Sequence, residues 1–268
     1  MTEGNNSVSS TKEKPIVLHL ITQAEFGGAQ KYVFDIAQGL SDSYTFVVGA
    51  GALHNSEELL LRLKHIGVYT LRLTNVVRAI SPLHDVRGLF QITRCIIKIK
   101  PALIHLHTSK MSILGSLAAR LAMLYLGSTG RRYRPKIVYT AHGWVFREKI
   151  SWLKRQFYMR AEQITGRFKH AIVCLSQADE LLARSLRIGN PLKLYVIGNG
   201  VSLDSKAMLQ KTEARLSITR TLRSKYSTQD FPTSSKEFWV GTVANLYENK
   251  GLEVLISAMN TLHHSLAG

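Results

Sequence analysis

The feature of this sequence that most constrains its fold is a regular alternation of short apolar, β-branched runs with helical patterns. Seven runs have the length and composition of strands: 16–22, 44–48, 68–73, 103–106, 136–140, 171–175 and 193–197. Six segments with apolar residues at helical spacing lie between them: 29–40, 56–66, 85–99, 112–126, 151–167 and 177–186. Strands that alternate with helices favour a parallel sheet covered by helices on both faces. The sequence therefore predicts an α/β fold with a doubly wound, mainly parallel sheet.

Composition and cysteine usage are those of an ordinary globular protein. The chain has 268 residues, of which 45% are hydrophobic and 20% are charged. Cys95 and Cys174 lie inside apolar runs at no metal-ligand spacing, which predicts buried free thiols in a reducing compartment. The most apolar stretch, 111–126, is interrupted by Arg120 and is shorter than the roughly 20 residues of a membrane-spanning helix. We therefore expect neither a disulfide framework nor a membrane span.

The net charge of +17 favours acidic partners. Residues Arg147–Lys169 include seven Lys or Arg and two Glu, and large apolar and aromatic residues lie among them. This mixture predicts a segment that contacts an anionic membrane surface, and it is equally typical of a helix packed on the sheet.

The distribution of polar residues predicts the domain organisation. Residues 1–14 form a polar leader without an apolar signal core, and 15–204 form the first α/β domain. A connector rich in Lys, Arg, Ser and Thr spans 205–235. Residues 236–268 hold one strand, at 237–243, and one helix of a second α/β unit. Because one such pair cannot bury a core, we expect this second domain to be incomplete.

A glycine pair marks the first junction between a strand and a helix. Gly27 and Gly28 follow the first apolar run and precede a helix with Val33, Ile36 and Ala37 on one face. Free N–H groups and the positive end of the helix dipole make such a position suitable for an anion such as phosphate. The lack of side chains lets a ligand approach the backbone there.

Further polar residues follow other predicted strands, where ligands bind in open parallel sheets. They are His107 and Thr108, then His142 beside Gly143, then Ser176 and, after the last strand, Asn199. His105 alternates with apolar neighbours and is predicted to be a packed core histidine, whereas His107 is expected to be more exposed to the cleft.

These loops together resemble those of glycosyltransferases of family 4, which have the GT-B fold. The motifs of the first domain are 27–30 (Gly-Gly-Ala-Gln), 142–143 (His-Gly), 176–179 and 199–201. Residues 240–246 and 248–251 resemble the start of that family's second, donor-binding domain. The resemblance spans about residues 15 to 264. It implies two Rossmann-like domains that face each other, the first holding the acceptor and the second the nucleotide-sugar.

The resemblance implies a retaining transfer of a sugar from a nucleotide-diphosphate sugar to a saccharide or lipid-linked acceptor. The expected setting is polysaccharide or glycolipid synthesis at the cytoplasmic face of the cell membrane. The nucleotide-sugar is a co-substrate, and no cofactor, metal or nucleic acid is expected.

The resemblance also implies roles for individual residues. It places His142 near the donor sugar as the catalytic candidate. The implied donor or phosphate ligands are Gly27, Gly28, Lys250 and Asn245, and the implied acceptor or cleft residues are His107, Thr108, Ser176 and Asn199. Preorganised donors and cations aimed at the leaving diphosphate would stabilise its developing charge.

Two departures from the family pattern bear on activity. Asn245 stands where the family often has an arginine, and the family's paired glutamates belong to a segment that this sequence lacks. We therefore expect the chain to be a fragment that is inactive alone. The alternatives left open are a sugar-nucleotide epimerase or hydrolase of the same architecture, and a non-catalytic basic module that binds nucleic acid or lipid.

Overall fold

The computed structural model describes residues 13–51, 57–200, 208–226, 239–244 and 250–267. They divide into two compact units, one that extends to Asn199 and one that begins at Gly200.

The first unit is built on a seven-stranded sheet in which every neighbouring pair is parallel. The strands are β1 (Ile16–Ile21), β2 (Thr45–Gly51), β3 (Tyr69–Leu73), β4 (Leu103–His107), β5 (Lys136–Ala141), β6 (Ala171–Cys174) and β7 (Leu194–Val196). Their spatial order is β3-β2-β1-β4-β5-β6-β7, so the chain winds outward from β1 in one direction and from β4 in the other. The predicted doubly wound parallel sheet is confirmed.

Six helices connect these strands. They are α1 (Gly28–Gly39), α2 (Glu58–His65), α3 (Pro82–Ile99), α4 (Ser109–Ser128), α5 (Trp152–Gly166) and α6 (Gln177–Ser185). The predicted start of α3 was three residues late because Pro82 occupies the first turn, where its missing N–H costs nothing. At the other end Lys100 adopts the left-handed conformation, and Pro101 follows it.

The two faces of the sheet carry separate cores. The smaller core packs α1 and α2 on β1 and β2, with Val33, Ala37 and Leu59 fully buried. The larger core lies on the opposite face and joins α3 and α4 to the centre of the sheet, with Ile92 and Ile96 fully buried. Cys174 is buried and Cys95 is half-buried, and both are free thiols.

Helix α4 has the length and composition of a membrane span. It is 20 residues long with a mean hydropathy of 1.3, so the expectation that no stretch is long and apolar enough is wrong. Half of that segment is buried in the first unit. Gly115 allows close packing on β4, because a Cβ there would lie 2.3 Å from a methyl carbon of Leu106. The apolar character of α4 is thus that of a core helix.

The second unit is described only in part. It contains α7 (Lys211–Tyr226), within the predicted connector, and α8 (Leu252–Ala267), which corresponds to the predicted final helix. Residues 239–244 form no strand, so the predicted strand over 237–243 is wrong for its described part. A strand needs a neighbour with which to exchange backbone hydrogen bonds, and the described residues of this unit supply none.

A buried ion pair joins α5 to the loop before β6. Lys169 Nζ lies 2.7 Å from Glu162 Oε2, and both side chains are fully inaccessible to solvent. Ser112 of α4 donates to the same carboxylate, at 2.8 Å, and Lys169 also contacts Thr165 Oγ1 at 3.1 Å. Burial lowers the pKa of Lys169, and the adjacent Glu162 opposes that shift. Because each charge depends on the other, loss of one partner leaves an uncompensated charge in the core.

We predict that Lys169→Met lowers the free energy of unfolding by about 3–5 kcal/mol, because Glu162 would then be an unpaired buried charge. The double variant Lys169→Met/Glu162→Leu should recover most of this loss. Lys31→Met is the matched control, since its pair with Asp35 is exposed and should contribute about 0.5 kcal/mol or less. Urea unfolding measures all three, and a double variant as unstable as the single one would contradict this account.

Candidate functional site

The sheet order places a crevice at the carboxyl ends of its central strands. The connections that leave β1 and β4 run to opposite faces of the sheet, and ligands of doubly wound proteins bind at such a switch point. A cavity of about 230 Å³ lies there. It is lined by Thr22, Gln23, Arg78, Thr108, Ser109, Lys110, His142, Gly143, Val145, Glu148 and Tyr158. The cavity therefore collects residues that follow β1, β4 and β5.

The start of α4 forms one wall of this cavity. Thr108 precedes the helix with a positive φ of 94°, and its Oγ1 lies 2.5 Å from Oγ1 of Thr22. Ser109 and Lys110 are in the first helical turn and line the cavity. The free N–H groups and the positive end of the α4 dipole therefore lie at the cavity, which favours an anionic ligand group.

Lys110 also braces the loop that carries Arg78. Its Nζ lies 2.6 Å from Asp85 Oδ1 and donates hydrogen bonds to the carbonyl oxygens of Val77, at 2.9 Å, and Ala79. These carbonyls flank Arg78, which lines the cavity. The ammonium group of Lys110 thus donates its hydrogen bonds within the protein and holds the backbone on both sides of Arg78.

Four histidines lie together behind and beside the cavity. His19 Nδ1 is 2.8 Å from His107 Nε2, and His107 Nδ1 is 3.2 Å from His142 Nε2. His105 Nε2 lies 2.8 Å from Thr140 Oγ1. We call these residues the histidine cluster: His19 on β1, His105 and His107 on β4, and His142 after β5.

Burial keeps the histidine cluster neutral. It lowers the pKa of His142 to about 4. Burial, with a smaller contribution from the charge of His142, lowers the pKa of His105 to about 3. The pKa values of His19 and His107 also lie well below their usual range, because burial and then the neighbouring imidazoles disfavour the charged forms. Neutral imidazoles can both donate and accept hydrogen bonds at neutral pH.

The structure brings two of the predicted site residues, the catalytic candidate and one cleft residue, into the cavity and places a second cleft residue behind it. His142 and Thr108 line the cavity. His107 is fully buried, so the expectation that it is exposed to the cleft is wrong. It is the last residue of β4, and His142 and Tyr32 pack against its ring. His105 packs against the rings of His19 and His107, as predicted, but it is only partly buried, and its Nε2 is within hydrogen-bond distance of Thr140.

Gly27 and Gly28 begin α1 but do not line the cavity. Gly27 has extended backbone angles (φ −149°) that any residue can adopt, so the backbone conformation does not require glycine there. Apart from its own helix and chain neighbours, no atom of the described residues lies within 4 Å of the position that a Cβ of Gly28 would take, so a ligand can approach that backbone. The proposed phosphate seat at α1 remains a prediction.

The remaining predicted residues lie apart from the cavity or outside the described structure. Ser176 caps α6, because its hydroxyl accepts from the amide of Asp179 and donates to that residue's carboxylate. Asn199 is exposed beyond β7. Lys250 is exposed and belongs to the second unit, whereas Asn245 lies outside the described residues.

Sequence reasoning missed His19, Tyr32, Arg78 and Lys110. The spacing of His105 and His107 places both on one face of β4, which was a usable signal. His19 joins them because the register of β1 on β4 pairs it with His105. Tyr32 of α1 then contacts the edges of His105, His107 and His142, at ring-centroid distances of 5.0–6.5 Å.

Comparison with known proteins identifies a family. Residues 26–205 match the family model described as Glycosyltransferase Family 4. The curated UDP-Gal:alpha-D-GlcNAc-diphosphoundecaprenol alpha-1,3-galactosyltransferase of Escherichia coli is 31% identical over 131 residues, which are 48% of this chain and 31% of that protein. The chain therefore spans about a third of the length of this relative.

Solved structures share the fold. HepE of Anabaena in complex with UDP and glucose is similar with a TM-score of 0.58 and 20% identity, over 78% of this chain and 50% of that protein. A glycosyltransferase from Rickettsia africae has a TM-score of 0.62 and 16% identity, over 94% of this chain and 59% of that protein.

We predict that the free energy of unfolding falls as the pH drops below 6.5. The unfolded histidines take up protons there, whereas the folded ones stay neutral until about pH 4 for His142 and about pH 3 for His105. Stability is therefore complete above 6.5 and declines toward these lower values. Each histidine that stays neutral adds a slope of about 1.4 kcal/mol per pH unit.

Urea unfolding at several pH values between about 7.5 and about 5 measures this slope. His105→Gln should reduce it by the equivalent of one proton, because glutamine does not titrate. His65→Gln is the control, since His65 is exposed on α2. An unchanged slope in His105→Gln would show that His105 is protonated in the folded protein.

Proposed function

The chain belongs to glycosyltransferase family 4, and on this premise we propose that it is the acceptor-side part of an enzyme that transfers a sugar from a nucleotide-diphosphate sugar. We propose a retaining reaction, with a saccharide or lipid-linked acceptor, in the synthesis of cell-envelope polysaccharide or glycolipid. Because the chain spans only part of its relatives, we assign catalysis to the whole enzyme and expect no transfer by this chain alone.

The cavity at the switch point carries this proposal. It combines hydroxyl groups from Thr22 and Thr108, an imidazole from His142, and a cationic side chain from Arg78 with the start of α4. Hydroxyl and imidazole groups suit sugar hydroxyls, and the positive helix end suits a phosphate. The name of the Escherichia coli relative describes an acceptor that combines both, an N-acetylglucosamine joined to a lipid diphosphate.

In this proposal the residues of the chain bind and orient the acceptor. Such positioning contributes to rate because it converts an encounter of two substrates into a reaction within one complex. His142, which the family resemblance places near the donor sugar, is assigned here to a hydroxyl of the acceptor sugar, and the α4 start and Arg78 lie near phosphate oxygens of the acceptor. The nucleotide-sugar is the co-substrate, and we expect the reaction to need neither a metal nor a cofactor.

We also propose that the protein is cytoplasmic and contacts the inner face of the cell membrane through α5. The first part of α5 exposes Trp152, Leu153 and Phe157, with exposed fractions of 68%, 72% and 53%. Lys154 and Arg155 are exposed on the same turns. Apolar and basic side chains side by side suit the interface of an anionic bilayer. Of the predicted segment Arg147–Lys169, Lys169 is unable to take part, because it is buried against Glu162.

We predict that the chain binds a synthetic GlcNAc-diphospholipid in detergent and that His142→Ala weakens this binding about 2- to 12-fold. That range corresponds to the loss of one hydrogen bond, about 0.5–1.5 kcal/mol. Isothermal titration calorimetry measures the dissociation constant. His65→Ala on α2 is the control and should bind as the unchanged chain does. Equal binding by His142→Ala would remove His142 from the acceptor site.

Activity is tested with the full product of the gene's reading frame. A panel of nucleotide-sugars is incubated with this acceptor, and release of nucleoside diphosphate is measured together with the anomeric configuration of the product. We expect release that depends on the acceptor, with retention. Donor conversion without acceptor would support the epimerase or hydrolase alternative, and an inverted product would contradict the retaining mechanism.

We predict that Lys154→Glu/Arg155→Glu weakens binding to anionic vesicles by at least about 2 kcal/mol, because each basic residue near such a surface contributes about 1 kcal/mol. Lys64→Glu/Lys98→Glu makes the same change of charge at exposed positions of α2 and α3 and serves as the control. Vesicle flotation at low and high salt measures the effect. Equal binding to neutral and anionic vesicles would contradict the membrane proposal.

A further inference from the structure

Three members of the histidine cluster form one hydrogen-bonded chain that runs from the core to the cavity. His19 bonds His107 at 2.8 Å, and His107 bonds His142 at 3.2 Å. Both ring nitrogens of His107 are used, one toward each neighbour. A neutral imidazole has one N–H and one lone pair, so His107 must donate in one direction and accept from the other. The tautomers of the three rings are therefore coupled.

We propose that His19 and His107 are positioning residues that hold His142 in its Nδ1–H tautomer, so that His142 donates a hydrogen bond into the cavity and does not serve as a base. The identity of the ligand that accepts this bond rests on the proposed function. The tautomer of His142 does not, because it follows from contacts within the protein.

The buried residue His19, at the inner end of the hydrogen-bonded histidines, determines which ring donates to which. His19 is fully buried, and among the described residues its Nε2 has no hydrogen-bond partner. A proton on that atom would be an unpaired N–H in the core, which native structures avoid. The proton of His19 therefore lies on Nδ1 and is donated to His107 Nε2. His107 in turn carries its proton on Nδ1 and donates to His142 Nε2, which leaves the proton of His142 on Nδ1.

Packing holds the rings in this arrangement. The rings of His19 and His107 are nearly parallel, with centroids 5.0 Å apart and an interplanar angle of 13°. The ring of Phe46, on the neighbouring strand β2, has its centroid 5.3 Å from that of His19. The rings of Tyr32 and His142 form a T-shaped pair with centroids 5.0 Å apart. A ring flip would have to displace these neighbours, so the hydrogen-bonding atoms keep their assignment.

The direction of the chain determines what His142 can do. It lines the cavity and uses Nε2 inward, so Nδ1 is the polar atom that it offers to a ligand. An N–H there matches an acceptor, such as an oxygen of a sugar hydroxyl or of a phosphate. It has no lone pair with which to take the proton of an attacking hydroxyl. Donors in a polarised chain are also strengthened by the bonds behind them.

A metal ion is the competing occupant of the cluster. His19, His105 and His107 have ligand nitrogens within 4.8 Å of one another. Two Zn–N bonds of roughly 2.0–2.1 Å at a tetrahedral angle would separate the nitrogens by about 3.3 Å. The observed 2.8 Å between His19 and His107 is shorter and is that of a hydrogen bond. The geometry therefore favours hydrogen bonding between the histidines over metal ligation.

The test is long-range ¹H–¹⁵N correlation NMR of the histidine rings in the uniformly labelled chain near neutral pH, without ligand. His170 is an internal reference, because its Nδ1 accepts the amide of Ile137 at 3.0 Å and its proton must lie on Nε2. We expect His107 and His142 to show the opposite pattern, with the proton on Nδ1. An Nε2–H pattern for His142, or a charged imidazolium, would overturn the proposal.

Variants test whether the hydrogen bonds from His19 through His107 control the tautomer of His142. His107→Gln supplies one acceptor and one donor and should keep His142 in the Nδ1–H form, whereas His107→Leu breaks the chain and should give a mixture of tautomers. His19→Phe removes the inner end and should also give a mixture, which provides a second test if His107→Leu fails to fold. His65→Gln is the matched control. An unchanged His142 spectrum in folded His107→Leu would overturn the coupling.

One further measurement, together with a comparison of the NMR result with the transfer assay, separates the possible outcomes. Mass spectrometry of the purified chain after incubation with Zn²⁺ should find less than stoichiometric metal, and one tightly held ion per chain would identify the imidazoles as ligands and overturn the proposal. Because the NMR measurement needs neither ligand nor turnover, it can succeed where the transfer assay fails. An active enzyme with His142 in the Nε2–H form would overturn this inference alone.

Discussion

The pairing of β1 with β4 is the contact on which the rest of the first unit depends. These strands lie side by side although two strands and three helices separate them in the chain. Their connections consequently leave toward opposite faces, α1 and α2 on one side and α3 and α4 on the other. The divergence opens the crevice at their carboxyl ends, and the same register places His19 beside His105. Fold, cavity and histidine cluster all follow from one pairing.

Two groups of buried polar residues lie in this unit. The Lys169–Glu162 pair and the histidine cluster both place titratable groups in the core, where isolated charges are costly. The two solve this problem differently. Lysine and glutamate remain together as a compensated pair, in which the Ser112 hydroxyl donates to the carboxylate and the Thr165 hydroxyl accepts from the ammonium group. The histidines remain neutral, and hydrogen bonds join His19 to His107 and His107 to His142, which lines the cavity.

The sequence predicted some of the residues that line the candidate cavity, but it also predicted residues that lie apart from it. Residues after β4 and β5 were expected at the cleft, and Thr108 and His142 line it, because the end of a parallel strand is recognisable from pattern alone. Gly27 and Gly28 drew attention as an anion seat, yet the described cavity borders the start of α4. A helix start after a strand occurs several times in this fold. Which start faces the cavity depends on sheet order, and strand spacing along the chain does not reveal that order.

Local sequence by itself determined the class of fold, the number of strands in the first unit and the helices between them. These features depend on side-chain periodicity and on residues such as Pro82 and Pro101 that act over a few positions. Tertiary structure alone decided that His107 is buried, that His19 and Tyr32 join it, and that Lys110 braces the loop around Arg78. Each of these contacts joins residues on different elements that lie more than 30 positions apart in the sequence, so no local pattern encodes it. Burial and hydrogen-bond partners across strands are set by register and packing, and those forces act only once the sheet has formed.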